Sequence, residues 1–274
     1  MNLDPGTRLR SLYETQGGVG EIFTGKVADY VASRPDYPSA LFELLGSICR
    51  RYPGALVADV GAGTGLLTRG LLDLGYDVVA VEPNVSMRSA ADYALAQYPR
   101  YRSLVGAAEA MPLEAASADL ITAAQAFHWF DVDHARREFL RVLKPHGQVA
   151  LIWNDRLATD PLNIALNDLF DHYGGAKRDA LVAHEQRGDV SGFFGAGTPI
   201  EYAFPHQHRL DGSGLLSLAF SRSYMPDRDS QSGWEAGYEL RRIFRDFAAD
   251  GWLTMRYTTV AIVGRPQDGG SGRD

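Results

Sequence analysis

A β-branched run that closes on an acid and three alternating glycines, Val57-Ala58-Asp59-Val60-Gly61-Ala62-Gly63-Thr64-Gly65, narrows the folds open to this chain more than any other stretch. It describes a strand turning tightly into a helix and points to a nucleotide-like ligand. Glycine tolerates the positive φ that such a turn needs, and the missing side chains at Gly61 and Gly63 let a ligand approach the turn. The next apolar run, Val78-Val79-Ala80-Val81, ends in Glu82, 17 residues after Gly65. That spacing sets a carboxylate at the tip of the neighbouring strand, where it can accept hydrogen bonds from both hydroxyls of a ribose. A dinucleotide fingerprint, G-x-G-x-x-G, wants its third glycine where Leu66 stands; here it comes one residue early, at Gly65, which disfavours a nicotinamide oxidoreductase.

The rest of the chain alternates strand and helix patterns as a doubly wound sheet does. Strands are expected at 56–60, 77–81, 102–105, 119–123, 148–153, 200–210 and 254–263, with helices at 40–51, from Leu66 to Gly75, after Asn84, at 133–143, 214–222 and 234–247. Asn84 reads as a helix N-cap, and Lys144-Pro145-His146-Gly147 as a turn feeding the fifth strand. The prediction is an α/β fold, a Rossmann-like, doubly wound, seven-stranded and mostly parallel sheet. An N-terminal helical cap would occupy 1–39 and the ligand-binding core 40–155. A helical insertion over the active site would take 156–197, the remainder of the sheet 198–266, and a disordered Gly-rich tail 267–274.

At 274 residues and 45% hydrophobic content the chain can bury a large core. Its formal charge of −7 supplies no general attraction to nucleic acid or anionic membrane. No signal peptide and no 18-residue apolar run stand out, so a cytoplasmic enzyme acting on a small molecule is expected. The single cysteine, Cys49, rules out an intramolecular disulfide and any thiolate cluster. His206 and His208 share a strand face without a third ligand in register, and His184-Glu185 lacks a second histidine four positions on, so no metal site is expected.

Several motifs then occur in one order: Tyr30 to Pro38 (YVASRPDYP), Asp59 to Gly65, Glu82-Pro83, Gly106-Ala107-Ala108-Glu109, Gln125 to Phe130 (QAFHWF) and Arg141 to Pro145 (RVLKP). Together they resemble class I S-adenosylmethionine-dependent methyltransferases of the small-molecule, trans-aconitate methyltransferase-like branch. The likeness is strong over roughly residues 23 to 155. His146 departs from the usual glycine of the Lys-Pro-Gly-Gly turn.

The resemblance implies S-adenosylmethionine as cofactor and S-adenosylhomocysteine as product. Asp59, Gly61, Gly63 and Gly65 would form the turn around the cofactor, Glu82 and Pro83 would meet the ribose, and Met87 the adenine face as a soft, polarizable surface. Ala108 and Glu109 would read the adenine edge, and Gln125 the methionine end. Arg34, fixed by Pro35, would clamp the methionine carboxylate with Tyr30 one helical turn away. Phe23, Trp129, Phe130, Asn154 and Tyr224 would wall the acceptor pocket, and Arg222 would position an acidic acceptor. His128 follows the fourth strand and is the candidate general base, needed only if the acceptor is a hydroxyl, amine or carbon acid. The expected function is methyl transfer by in-line displacement to a small acidic or amino-acid-like metabolite. Two other readings share these signals: a cyclase or lyase that releases methylthioadenosine from the same cofactor, and a noncatalytic binding protein.

Overall fold

The computed structural model describes residues 11–13, 24–49, 52, 54–185 and 187–267. Seven strands form one sheet in the order β3-β2-β1-β4-β5-β7-β6. They are β1 (Leu56–Val60), β2 (Asp77–Val81), β3 (Tyr101–Leu104), β4 (Ala118–Ala124), β5 (Leu143–Arg156), β6 (Ile200–Leu210) and β7 (Leu253–Gly264). The first five run parallel, while β7 is antiparallel to both β5 and β6. The near-continuous Val, Ile, Leu and Ala runs of β1, β2 and β4 follow from burial on both faces of a parallel sheet. After β3 the chain crosses to the far side of β1 and enters β4. That crossing leaves a crevice beyond the carboxyl ends of β1 and β4, where doubly wound sheets hold ligands.

Alternation divides the core into two layers. Val57, Val78, Leu120 and Ala150 face helices α2 (Ser39–Ile48) and α3 (Leu66–Asp73), with Leu41, Leu45, Leu67 and Leu71 packed against them. Val60, Val79, Ile121 and Leu151 face the other way, toward Phe139 of α5 (Val132–Val142). Helix α4 (Val85–Leu95), between β2 and β3, is N-capped by Asn84, whose Oδ1 accepts the Met87 amide at 2.8 Å.

A third core lies outside the sheet layers. It joins α6 (Pro161–Glu185), α8 (Gly212–Phe220) and α9 (Gln231–Phe247) to the β6–β7 end that carries Leu210, Leu253, Met255 and Tyr257. Helix α1 (Val27–Ser33) packs on α8, and α6 is interrupted at Gly175, which has φ 51 and ψ −143. Helix α7 (Gly188–Phe194) behaves differently from α6. Its Val190, Phe193 and Phe194 join the main core beside α5, so that the last part of the 156–197 segment packs on the sheet layer.

Two expectations need correction. Lys144 to Gly147 belongs to β5 as an irregular extended stretch, because Leu143 pairs with Ala118 and Gln148 already with Leu120. Arg265 holds this bulge by donating through Nη1 to the carbonyls of Lys144 at 2.8 Å and Gly147 at 2.9 Å. Gln267, expected in a disordered tail, donates its amide to the Phe194 carbonyl at 3.0 Å and bridges Gly195. Residues 268–274 lie outside the described residues. The third strand begins at Tyr101, one residue early; the β1, β2 and β6 bounds are as expected.

Candidate active site

The Gly61–Gly65 turn is tied to the end of β2: the Gly61 amide donates to the Val81 carbonyl at 2.8 Å. All three glycines have positive φ, yet their surroundings differ. A Cβ at Gly61 would lie 2.5 Å from Ala126 Cβ, and one at Gly65 would lie 2.7 Å from Leu95 Cδ1, so these two permit packing. A Cβ at Gly63 would meet nothing within 4 Å. Gly63 and Gly61 line a cavity of about 400 Å³ with Glu82, Pro83, Met87 and Ala108.

Glu82 is 8% exposed. Its Oε2 accepts the Gly63 amide at 2.8 Å and its Oε1 the Asn84 amide at 2.9 Å. Burial pushes its carboxyl above the ordinary glutamate value, against the opposing pull of those two amides. Asp59 lies behind the wall of this cavity. It spends one oxygen on the Thr68 hydroxyl at 2.6 Å and the other on the Thr122 hydroxyl at 2.8 Å, which ties β1 to α3 and β4. Asp59 and Gly65 thus build the turn without lining the cavity. Glu109 lines it, with Oε1 accepting the Asp131 amide at 2.7 Å.

A second cavity of about 480 Å³ opens beside the first, and Tyr30, Gln125 and Trp129 line both. Gln125 terminates β4 with φ 55, an uncommon conformation for a side-chain-bearing residue, and its Nε2 donates to the Asn154 carbonyl at 3.3 Å. Asn154, His128 and Tyr224 line the second cavity, and the His128 ring lies 4.9 Å from that of Trp129. Phe23 lies outside the described residues.

Five guanidinium groups line this second cavity, and each lies over an aromatic ring. Arg34 sits 4.5 Å from the Tyr30 centroid and Arg187 4.6 Å from Trp153. Arg178 lies 5.3 Å from Tyr224, while Arg156 and Arg222 share Phe170 at 4.9 and 4.6 Å. Arg178 is neutralised by Asp171 at 3.0 Å and Arg187 by Asp155. Among the described residues, the Arg34 guanidinium donates to the Ser221 carbonyl at 3.3 Å and that of Arg156 to the neutral Asn167 side chain at 2.7 Å. Burial lowers the pKa of both, for Arg156 to about 10, and the Arg222 charge adds to the effect. Arg34 lines this cavity and not the nucleoside-sized one, although its ring partner Tyr30 reaches both.

Arg156, Arg178, Arg187, Tyr257 and Phe170 were not anticipated from the sequence. They come from β5, α6, the α6–α7 link and β7, so no local spacing unites them. His206 stacks on Tyr257 at 5.5 Å and His208 Nε2 contacts the Ser33 carbonyl at 2.9 Å.

The likeness to known proteins follows this architecture. An uncharacterised methyltransferase of Mycobacterium tuberculosis is 32% identical over 248 residues, covering 88% of this chain and 93% of that protein. The chain belongs to the class I S-adenosylmethionine-dependent methyltransferases. A methyltransferase domain model matches residues 58–151 of this methyltransferase, the span from β1 to β5. An uncharacterised methyltransferase of Schizosaccharomyces pombe is 39% identical over 139 residues, half of this chain and 54% of the relative. A solved structure assigned as a type II methyltransferase from Anaeromyxobacter dehalogenans aligns with a TM-score of 0.58 at 25% identity, covering 84% of this chain and 96% of that one. No helix among the described residues is long and apolar enough to cross a membrane.

Proposed function

We propose that this methyltransferase transfers a methyl group to a small acidic metabolite, in keeping with its likeness to the trans-aconitate methyltransferase-like branch. The observation that carries the reading is the cationic cavity, where Arg34 and Arg156 are partly buried with no carboxylate partner among the described residues and which meets the nucleoside-sized cavity at Tyr30, Gln125 and Trp129. Unpaired buried charge is costly, so such a cavity favours an anionic occupant.

The chain's residues suit the cofactor part by part. The open space at the missing Gly63 side chain accommodates a nucleoside against the backbone, and Glu82 beside it is placed for the ribose hydroxyls. Met87 and Ala108 offer an apolar face to adenine, with Pro83 and Glu109 at the same cavity. Tyr30 and Gln125 stand at the junction, where the methionine end would be held, and Arg34 lies over the Tyr30 ring from the second cavity. Bound S-adenosylmethionine supplies an electrophilic methyl on a sulfonium, so that an acceptor lone pair forms the new bond while the carbon–sulfur pair stays on sulfur.

The protein then has to orient the acceptor and exclude water, which can supply roughly 7 to 11 kcal/mol. A carboxylate acceptor has no proton to lose, so His128 shapes the cavity with Trp129, Asn154 and Tyr224 and acts as a base only toward a protonated acceptor. Incubation with S-adenosylmethionine and a panel of small organic acids, read by mass spectrometry, tests the proposal. Methyl esters with matching S-adenosylhomocysteine are expected. Methylthioadenosine formed without acceptor, or cofactor binding with no turnover on any acid, would overturn it.

A further inference from the structure

Helix α9 carries a face that the described residues leave uncovered. Its Gly233, Ala236, Gly237, Leu240 and Ile243 are buried where the helix packs on α6 and α8. On the opposite side Trp234 is 70% exposed and Tyr238 is 66% exposed, one helical turn apart. His172 and Tyr173 of α6 border the same open hollow as these two rings. A single exposed ring is ordinary. Two large aromatic side chains aligned on one helix face, with arginines on the turns that follow, have the composition of a docking surface, in which Trp, Tyr and Arg supply most of the binding energy.

The charges along this face say what covers it. Glu235 stands beside Trp234 in the first half, and Arg241, Arg242 and Arg245 follow in the second, all of them exposed. Successive positions on this line fall three or four residues apart, the spacing of a helix-pairing seam, and the line passes Glu239 and Asp246 by. Tyr238 is its midpoint: Glu235 and Arg241 stand three residues to either side of it, and Trp234 and Arg242 four. An antiparallel helix of the same sequence, with its own Tyr238 at the same level, therefore sets Arg241 against Glu235 and the Arg242 guanidinium over the Trp234 ring. A twofold axis makes each of these contacts twice. A parallel arrangement would put arginine on arginine, and a partner of one charge would suit one half of the face and be repelled by the other. We propose that this face is an interface with a second copy of the chain, in which two α9 helices cross antiparallel about Tyr238 with Glu235–Arg241 and Trp234–Arg242 pairs across the axis. No α9 residue lines either cavity, so pairing there covers the lining of neither.

The interface is independent of the acceptor's identity and is tested without substrate. Sedimentation velocity on the full chain, over about 1 to 100 μM, is expected to show a monomer–dimer equilibrium with a Kd of about 10 μM or lower. Arg241→Glu sets acid against acid at both ends of the axis and should raise Kd about tenfold or more, and Glu235→Arg should do the same with bases. Combining Glu235→Arg with Arg241→Glu restores opposite charges across the axis and should bring Kd back to within about threefold of the parent value. The two positions are six residues apart and do not face each other within one helix, so this rescue reports contact between copies. Both are exposed, and unchanged far-ultraviolet circular dichroism of the variants distinguishes lost pairing from lost fold. Tyr238→Cys should link two chains on oxidation, whereas Tyr93→Cys, at a 90% exposed site on α4, should not; Cys49 is buried. A chain that stays monomeric throughout the range, a dimer indifferent to Arg241→Glu, a double variant no tighter than the single ones, or equal linking through both introduced thiols would overturn the interface.

Discussion

The two cavities that meet at Tyr30, Gln125 and Trp129 are built by opposite means. The nucleoside-sized one is made from backbone and from short local motifs: the glycine turn after β1, Glu82 at the tip of β2, and Ala108 beyond β3. Its central carboxylate is answered by near neighbours in the chain, Glu82 accepting the Gly63 and Asn84 amides. The cationic one takes side chains from α1, β5, α6, α8 and β7 and from the turn after β4. Its charges are held in place by aromatic rings more than by hydrogen bonds. A ligand common to a family can be met by strand ends and glycines, while a ligand particular to one protein falls to long side chains on the elements that vary.

Breaking the nucleoside side should have the largest effect. Glu82→Ala removes an acceptor of two charge-assisted hydrogen bonds, roughly 1.5 to 3 kcal/mol each, and should weaken S-adenosylhomocysteine binding about 100-fold or more by calorimetry. The same carboxylate sets a pH limit. Its folded pKa is raised, so it gains a proton above the ordinary glutamate value of about 4.3, and cofactor affinity should decline on acidification before an ordinary glutamate would titrate. A raised carboxyl pKa contributes stability on the acid side that is lost as pH rises through it. Glu82 protonation should therefore lower affinity without lowering the melting temperature.

The glycines sharpen the contrast between fold and ligand. Gly61→Ala incurs both positive-φ strain and a clash with Ala126, and should cost about 2 kcal/mol or more, lowering Tm by roughly 4 to 8 °C. Gly63→Ala has open space around its new methyl, so it should lose only about 1 to 2 kcal/mol to strain and show its main effect as weaker cofactor binding. Equal effects of the two on stability and on affinity would erase the distinction. Thr122→Val leaves one Asp59 oxygen without its hydroxyl and should destabilise the fold by roughly 1 to 3 kcal/mol in denaturant titration. The smallest effect belongs to Arg187→Gln. Its pair with Asp155 is partly exposed, 20% and 46% for the two side chains, so loss of stability should stay under about 1 kcal/mol.

The site was legible where chemistry is local. Gly63 and Glu82 announce themselves by spacing, and Met87 and Asn84 by their places at a helix start. Asp59 was legible as part of the motif, but its work is internal: only the fold shows both its oxygens taken by Thr68 and Thr122. Arg34 was visible beside Pro35, yet its position in the cationic cavity depends on how α1 packs against α8. The Lys144–Gly147 stretch read as a turn because proline and glycine usually punctuate, and it became part of β5 because Arg265, more than 100 residues later in the chain, caps its carbonyls.

Taken alone, the order of residues determined the strand–helix alternation, the glycine turn and the carboxylate in register with it, because each depends on backbone freedom and on periods of two or 3.6 residues. Only the tertiary structure decided that Arg34, Arg156 and Arg222 converge over Tyr30 and Phe170. That convergence depends on the packing of α6, α8 and the reversed strand β7, and a long side chain's field is felt across space by whatever lies near it, however far apart the residues stand in the chain.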